Sequence, residues 1–117
     1  MDLRDLVLAL RGYDALSARQ WVSDALRQQI EWEHLAAPTG LDATDLAIAA
    51  GVIELLAERT GKRSPEWTQT VAAAPKPIFL VRAAESMSNL RKQCQEEGPW
   101  PLRRRQIFAP TEFLQVA

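Results

Sequence analysis

Residues 41–61 read LDATDLAIAAGVIELLAERTG, and no other stretch constrains the chain as strongly. The spacing predicts one helix from Asp42 to Thr60. Asp42 suits the cap, where its carboxylate can accept from free first-turn amides, and Asp45 adds negative charge at the positive end. Leu41 and Leu46 stand where a hydrophobic staple closes across the cap. Gly61 fits a left-handed stop, with Arg59 in the last turn. Such a rod spans roughly 28 Å. At about 100° per residue, Leu46, Ala49, Ala50, Ile53, Leu56 and Ala57 share a face. Ile48, Val52 and Leu55 widen it past half the circumference and leave a narrow polar strip with Glu54 and Glu58. An arc wider than the ~100° of a surface helix demands contacts on several sides. The expected fold class is therefore all-α: a compact bundle of five to seven helices around residues 42–60.

Gly51 sits mid-helix, where glycine costs about 1 kcal/mol against alanine. With Ala47 one turn earlier, it lets a second element approach closely, within the monomer or across a dimer. The same residues, with Val52, echo the Ala-x-x-x-Gly-Val turn of a helix-turn-helix. That reading would set Glu54 and Glu58 against phosphates, an unfavourable arrangement.

The remaining elements follow from periodicity and breakers. Leu3, Leu6, Val7 and Leu10 mark a first helix over Asp2–Arg11, ended by Gly12, with Tyr13 and Asp14 in the turn. Ser17 with Gln20 reads as a capping box opening a second helix, with Trp21, Val22, Ala25, Leu26, Gln29 and Ile30 as its stripe. Trp32 and Leu35 extend it to the break at residues 36–40. Ser64, Pro65 and Glu66 start a short helix with Trp67 and Val71 on one side, and residues 72–77 form a stiff linker. Ile78–Val81 suits a buried strand, but no second strand is evident to satisfy its backbone, so a helix from Pro77 to about Ala84 is expected. A helix from Ser86 or Ser88 to Glu97 carries Met87, Leu90 and Cys94. Gly98-Pro99-Trp100-Pro101 ends it, a turn covers 102–105, and Pro110–Val116 forms a last short helix with Phe113, Leu114 and Val116 docking.

A length of 117 residues implies one domain, 1–117, able to bury a core without staples. No apolar run reaches the ~18 residues of a membrane span. MDLRDL lacks a signal-peptide layout, and the single Cys94 excludes an internal disulfide, so a cytoplasmic protein is expected. Residues 1–60 carry five Arg against ten Asp and Glu; residues 61–117 carry nine Lys and Arg against five Glu. That polarity orients a partner or folds back as internal pairing.

Chemistry-bearing patterns are sparse. His34 is the only histidine, and nothing in the spacing places it beside Cys94 for nucleophilic catalysis. Glu31 and His34 form one Glu-x-x-His pair, where a di-iron bundle uses two. No phosphate loop, CxxC or HExxH is present. No catalytic residue, metal or cofactor is assigned, and the chain is not expected to be an enzyme. The basic cluster Arg103-Arg104-Arg105 suits a solvated face or internal pairing with the acidic half, carboxylates on a protein partner, or phosphates, with Arg91 and Lys92 as the nearest other basic pair. Trp100, between Pro99 and Pro101, is either displayed on a rigid loop beside those arginines, the composition of a binding hot spot, or folded down over the core. Trp100, Arg103, Arg104 and Arg105 are thus the candidate partner-binding residues.

Pro65-Glu66-Trp67-Thr68, Phe79-Leu80-Val81, the run Pro101 to Phe108, and Phe113-Leu114 resemble small helical proteins encoded beside nucleotidyltransferase-type toxins in bacterial toxin–antitoxin modules. The resemblance covers residues 45–117 and carries over no catalytic residue. It implies an antitoxin-like, non-enzymatic partner that binds and restrains or assists a toxin enzyme. The leading expectation is a protein-interaction module with such a partner or a second copy of itself. The alternative is a nucleic-acid-binding regulator using Arg103–Arg105 or a helix-turn-helix.

Overall fold

In the computed structural model, which describes residues 2–115, the long apolar stretch is one unbroken helix. Because it is third in chain order it is α3, Ala43–Arg59, preceded by α1 (Leu3–Arg11) and α2 (Ala15–Arg27). α4 (Ser88–Glu97) and α5 (Trp100–Arg103) follow, and strands β1 (Ile78–Phe79) and β2 (Ile107–Phe108) form a two-stranded parallel sheet. Short 3-10 turns cover Trp32–His34, Glu66–Thr70 and Arg82–Glu85. The protein is mostly helical.

The caps explain where the helices start. Asp42 accepts from the Asp45 amide at 2.8 Å, as its position in the sequence implies. Asp2 caps α1 through the Arg4 amide at 3.0 Å. The second helix departs from expectation: Asp14, not Ser17, is its cap, accepting from the Ser17 amide at 3.1 Å. Gln20 turns instead to Asp24 at 2.9 Å, so no capping box forms. A carboxylate three residues before a free amide competes effectively with a serine hydroxyl for the same role.

The helix ends share one device. The amides of Asp14, Ile30 and Lys62 donate to the carbonyls of Ala9, Ala25 and Ala57, the six-residue closure of a Schellman turn. The residue before each donor lies in the left-handed region: Tyr13 at φ 56°, Gln29 at 52° and Gly61 at 66°. Only α3 has glycine there. Gly12 ends α1 as expected, but at φ −88° it leaves the reversal of the chain to Tyr13. α2 stops at Arg27, so Trp32 does not prolong it and exposed Gln29 is not part of its stripe. Gln29→Gly is expected to stabilise the protein by about 0.5–1 kcal/mol by relieving a side chain held at positive φ. A urea unfolding midpoint no higher than wild type would contradict that assignment.

Every residue of α3 from Ala47 to Ala57 is buried except Glu54. α1, α5, β2 and the 66–70 turn all contact it. Leu3, Leu6, Val7 and Leu10 of α1 and Trp21, Val22 and Ala25 of α2 join the same core. Trp32 is buried as well, and its indole donates to Thr60 Oγ1 at 2.9 Å. Half-buried Trp67 donates to the Leu35 carbonyl at 2.8 Å, and Trp21 to the Asp2 carbonyl at 3.0 Å.

The second half differs most from its sequence reading. Ile78–Val81 does not start a helix. Ile78 and Phe79 pair in parallel with Ile107 and Phe108, the Ile78 amide donating to the Gln106 carbonyl at 2.9 Å and the Leu80 amide to the Phe108 carbonyl at 3.0 Å. The missing partner strand lies directly after the arginine cluster, too short and too charged at its start to show a period of two. A parallel pair needs a long crossover, and α4 and α5 lie within it. The stiff 72–77 linker is docked at Ala74. The Ala74 amide donates to the Arg105 carbonyl at 2.8 Å, and Gln106 Nε2 returns a bond to the Ala74 carbonyl at 2.9 Å. Ser64 makes no cap bond; Pro65 precedes a 3-10 turn. The expected 102–105 turn starts earlier, as α5, with Pro101 in its first turn. Residues 111–114 form turns rather than a helix, with Leu114 buried at φ 59°; Val116 lies outside the described residues. Met87 is exposed and Leu90 half-buried, so Cys94 is the buried residue of α4. Among the described residues no helix is long and apolar enough to cross a membrane.

Candidate partner-binding site

α5 is set by its prolines. Pro99 is the extended residue before it, and Pro101 fills the first turn, where a missing N–H costs nothing. Leu102 then drops into the core against α3. A Cβ on Gly51 would lie 2.7 Å from Leu102 Cδ2 and 3.2 Å from the Pro101 carbonyl oxygen. The glycine in the middle of α3 thus admits α5, the first of the two close approaches, within the monomer or across a dimer, that its sequence position allows.

With Leu102 and Pro101 buried, Trp100 points the other way and is 63 % exposed. It is the one tryptophan whose indole N–H meets no acceptor among the described residues. The Arg103 guanidinium lies over its ring, 5.5 Å from the centroid, and donates to the Glu96 carbonyl at 2.8 Å. Arg103 Nε has no partner. A cation over an indole face is attracted by the ring quadrupole and holds the ring's orientation.

The other two arginines turn inward. Arg104 Nη2 donates to both oxygens of Glu54, at 2.7 and 2.8 Å. Arg105 is 1 % exposed. Its Nη1 reaches Glu54 and the Pro101 carbonyl, the latter at 3.0 Å, and its Nη2 reaches the Thr68 carbonyl. Thr68 is itself buried and anchored by its hydroxyl to the Pro65 carbonyl at 2.8 Å. The arginine cluster is therefore divided. Arg103 frames Trp100 on the surface, Arg104 is exposed but spent on Glu54, and Arg105 is a buried tie between α3, α5 and the 66–70 turn. Arg91 is also committed, donating to the Ala84 and Glu85 carbonyls at 3.0 and 2.6 Å.

Glu54 was legible in the sequence only as a charge on α3's polar strip. Its role follows from the fold. Burial pushes its carboxyl up, but hydrogen bonds from Arg105 and Arg104, with their charges, outweigh burial and hold it below the ordinary value. A single acid between Ile53 and Leu55 in a helix buried on nearly all sides was the signal that a buried cation had to come from elsewhere in the chain. This pair joins the acidic and basic halves, as does Lys62 to Glu31 at 3.2 Å.

His34 is exposed beside Glu33, at 3.8 Å. Cys94 is enclosed, and burial, with Glu112 adding to it, pushes its thiol up, away from the nucleophilic thiolate. Among the described residues no group of three or more His, Cys, Asp or Glu side chains is gathered as a metal site. No family model, no curated protein and no solved structure matches this chain.

Proposed function

We propose that the protein is a non-enzymatic, cytoplasmic interaction module, a helical bundle built around α3, that docks a protein partner on Trp100 and Arg103. The resemblance of residues 45–117 to antitoxin-like helical proteins supplies the partner class: an enzyme of the nucleotidyltransferase-toxin type. One observation carries the reading. Trp100 is exposed on a one-turn helix that Leu102 locks over Gly51, so a large apolar ring is held out on a rigid base. A preorganised tryptophan loses little entropy on docking, and exposed tryptophan framed by arginine is the hot-spot combination. Phosphate recognition is less well supported, because Arg104 and Arg105 already serve Glu54.

Titration calorimetry with a nucleotidyltransferase-type toxin tests the proposal. Trp100→Ala is expected to weaken binding at least about tenfold, a modest value for a central tryptophan, while the urea unfolding midpoint stays at its wild-type value. Arg103→Gln is expected to act in the same direction. Equal binding by wild type and Trp100→Ala would remove Trp100 from the interface. No binding by either would remove the partner class.

A further inference from the structure

A cavity of about 510 Å³ opens where the α1–α2 corner meets the 80–83 segment and the 112–114 turn. Its size falls within the roughly 300–1,000 Å³ of small-molecule sites. It shares no lining residue with the Trp100 face. Buried Leu10, Ala18, Leu80 and Leu114 supply apolar lining. Two cations, Arg19 and Arg82, stand at the rim, and neither pairs with a carboxylate among the described residues.

Its walls are built in advance. Tyr13 donates from its hydroxyl to Glu85 at 3.0 Å, and the Arg82 guanidinium lies 5.1 Å from the Tyr13 ring centroid. The opposite wall is pinned by Arg59 at the end of α3, which donates to the Phe113 carbonyl and, at 3.1 Å, to the Thr111 carbonyl. Two acids also border the cavity. Asp14 is occupied in capping α2, and Glu112 is exposed.

We propose that this cavity binds a small monoanionic amphiphile, a carboxylic acid with a hydrocarbon or aryl body. The apolar lining requires the hydrocarbon. The guanidiniums of Arg19 and Arg82, paired with no carboxylate among the described residues, supply donors at the rim for which carboxylate geometry is well matched. Asp14 and Glu112, the two carboxylates in the lining, disfavour a second negative charge such as that of a phosphate dianion.

Decanoate, decanol and inorganic phosphate are the probes, each titrated into isotope-labelled protein below the micellar range and followed by amide chemical shifts. Decanoate is expected to move the amides of Tyr13, Val81, Arg82 and Leu114. Decanol is expected to bind at least about tenfold more weakly and phosphate to cause no shift there. The Arg19→Gln/Arg82→Gln variant changes two exposed side chains and is expected to keep the wild-type amide spectrum away from residues 13, 19 and 82 while binding decanoate about tenfold or more weakly. Ala83→Trp, at the exposed rim, is expected to block the shifts sterically. Decanoate shifts centred on exposed Leu8, Leu16 or Trp100, equal affinity for decanol, or unchanged affinity in the double variant would each overturn the proposal.

Discussion

Arg105→Ala is expected to destabilise the protein by about 3–5 kcal/mol, the usual penalty for removing one partner of a buried ion pair. The guanidinium is the only donor reaching Glu54 from within the core, and it also satisfies the Pro101 and Thr68 carbonyls. Its loss leaves those acceptors buried without a donor and strips Glu54 of one of two cations. Arg105→Lys recovers little. A single ammonium on a flexible stem cannot replace a planar fork that meets three acceptors on different elements. Arg104→Ala, by contrast, removes an exposed arginine from the same carboxylate and is expected to cost about 1 kcal/mol or less. With total stabilities of about 5–15 kcal/mol for such domains, the first change approaches unfolding and the second does not. Urea unfolding of the variants measures the difference. An Arg105→Ala loss no larger than that of Arg104→Ala would show the buried tie to be energetically idle.

The same tie sets a pH signature. The Glu54 carboxyl is held below its ordinary value in the fold, so the stability it contributes is fully present above that ordinary value. It is lost as pH falls through the folded one. Asp45 works in the opposite sense. Burial and then the charge of Asp42 raise its carboxyl against the pull of Arg11, so its contribution improves on acidification. Subtracting the unfolding free energy of Glu54→Gln from that of wild type isolates the first effect. The difference is expected to be constant near neutrality and to shrink as pH falls below the ordinary carboxylate range.

What was readable in the sequence is what local rules govern. The span, cap and enclosure of α3 follow from Asp42, the apolar arc and Gly61, and the coordinates agree to within a residue or two. The period of α1 was equally plain. Three features were not local. β1 needs β2, and Ile107–Phe108 is two residues long, too short to register against the arginines before it. Trp32 and Trp67 are fixed by acceptors at Thr60 and Leu35, each 28 residues or more away in sequence. The arginine run reads as one patch, but successive residues of a tight helical turn point in different directions about its axis. Arg103 accordingly reaches the surface and Arg105 the core, and only a structure could assign which. The prolines flanking Trp100 left both a displayed and a folded-down ring open in the sequence, and its 63 % exposure follows from Leu102 taking the core-facing side of α5.

Gly98→Ala is expected to be the most damaging of the glycine substitutions, by about 3 kcal/mol, at the upper end of overpacking losses. Gly98 has φ −60°, which any residue adopts, so its glycine is there for space and not for its dihedral angles. A Cβ there would stand 2.5 Å from the Ala109 carbonyl oxygen and 2.6 Å from that of Cys94. Both are backbone atoms, one following β2 and one in α4, and relief requires moving a whole element. Gly51 is the instructive contrast. The closest atom to its added Cβ is Leu102 Cδ2, the far end of a side chain, and the helix gains about 1 kcal/mol from alanine propensity. Overpacking of about 2 kcal/mol against that gain leaves a net loss of about 1 kcal/mol for Gly51→Ala. Its binding effect should be the larger one, since lifting Leu102 tilts α5 and with it Trp100. Unfolding midpoints ranked Gly98→Ala below Gly51→Ala, with partner affinity reduced in Gly51→Ala, would tie the display of Trp100 to the packing beneath it. The reverse ranking would mean that the backbone around Gly98 gives way more easily than Leu102 does, and full affinity in Gly51→Ala would mean that α5 rests on α3 without being positioned by it.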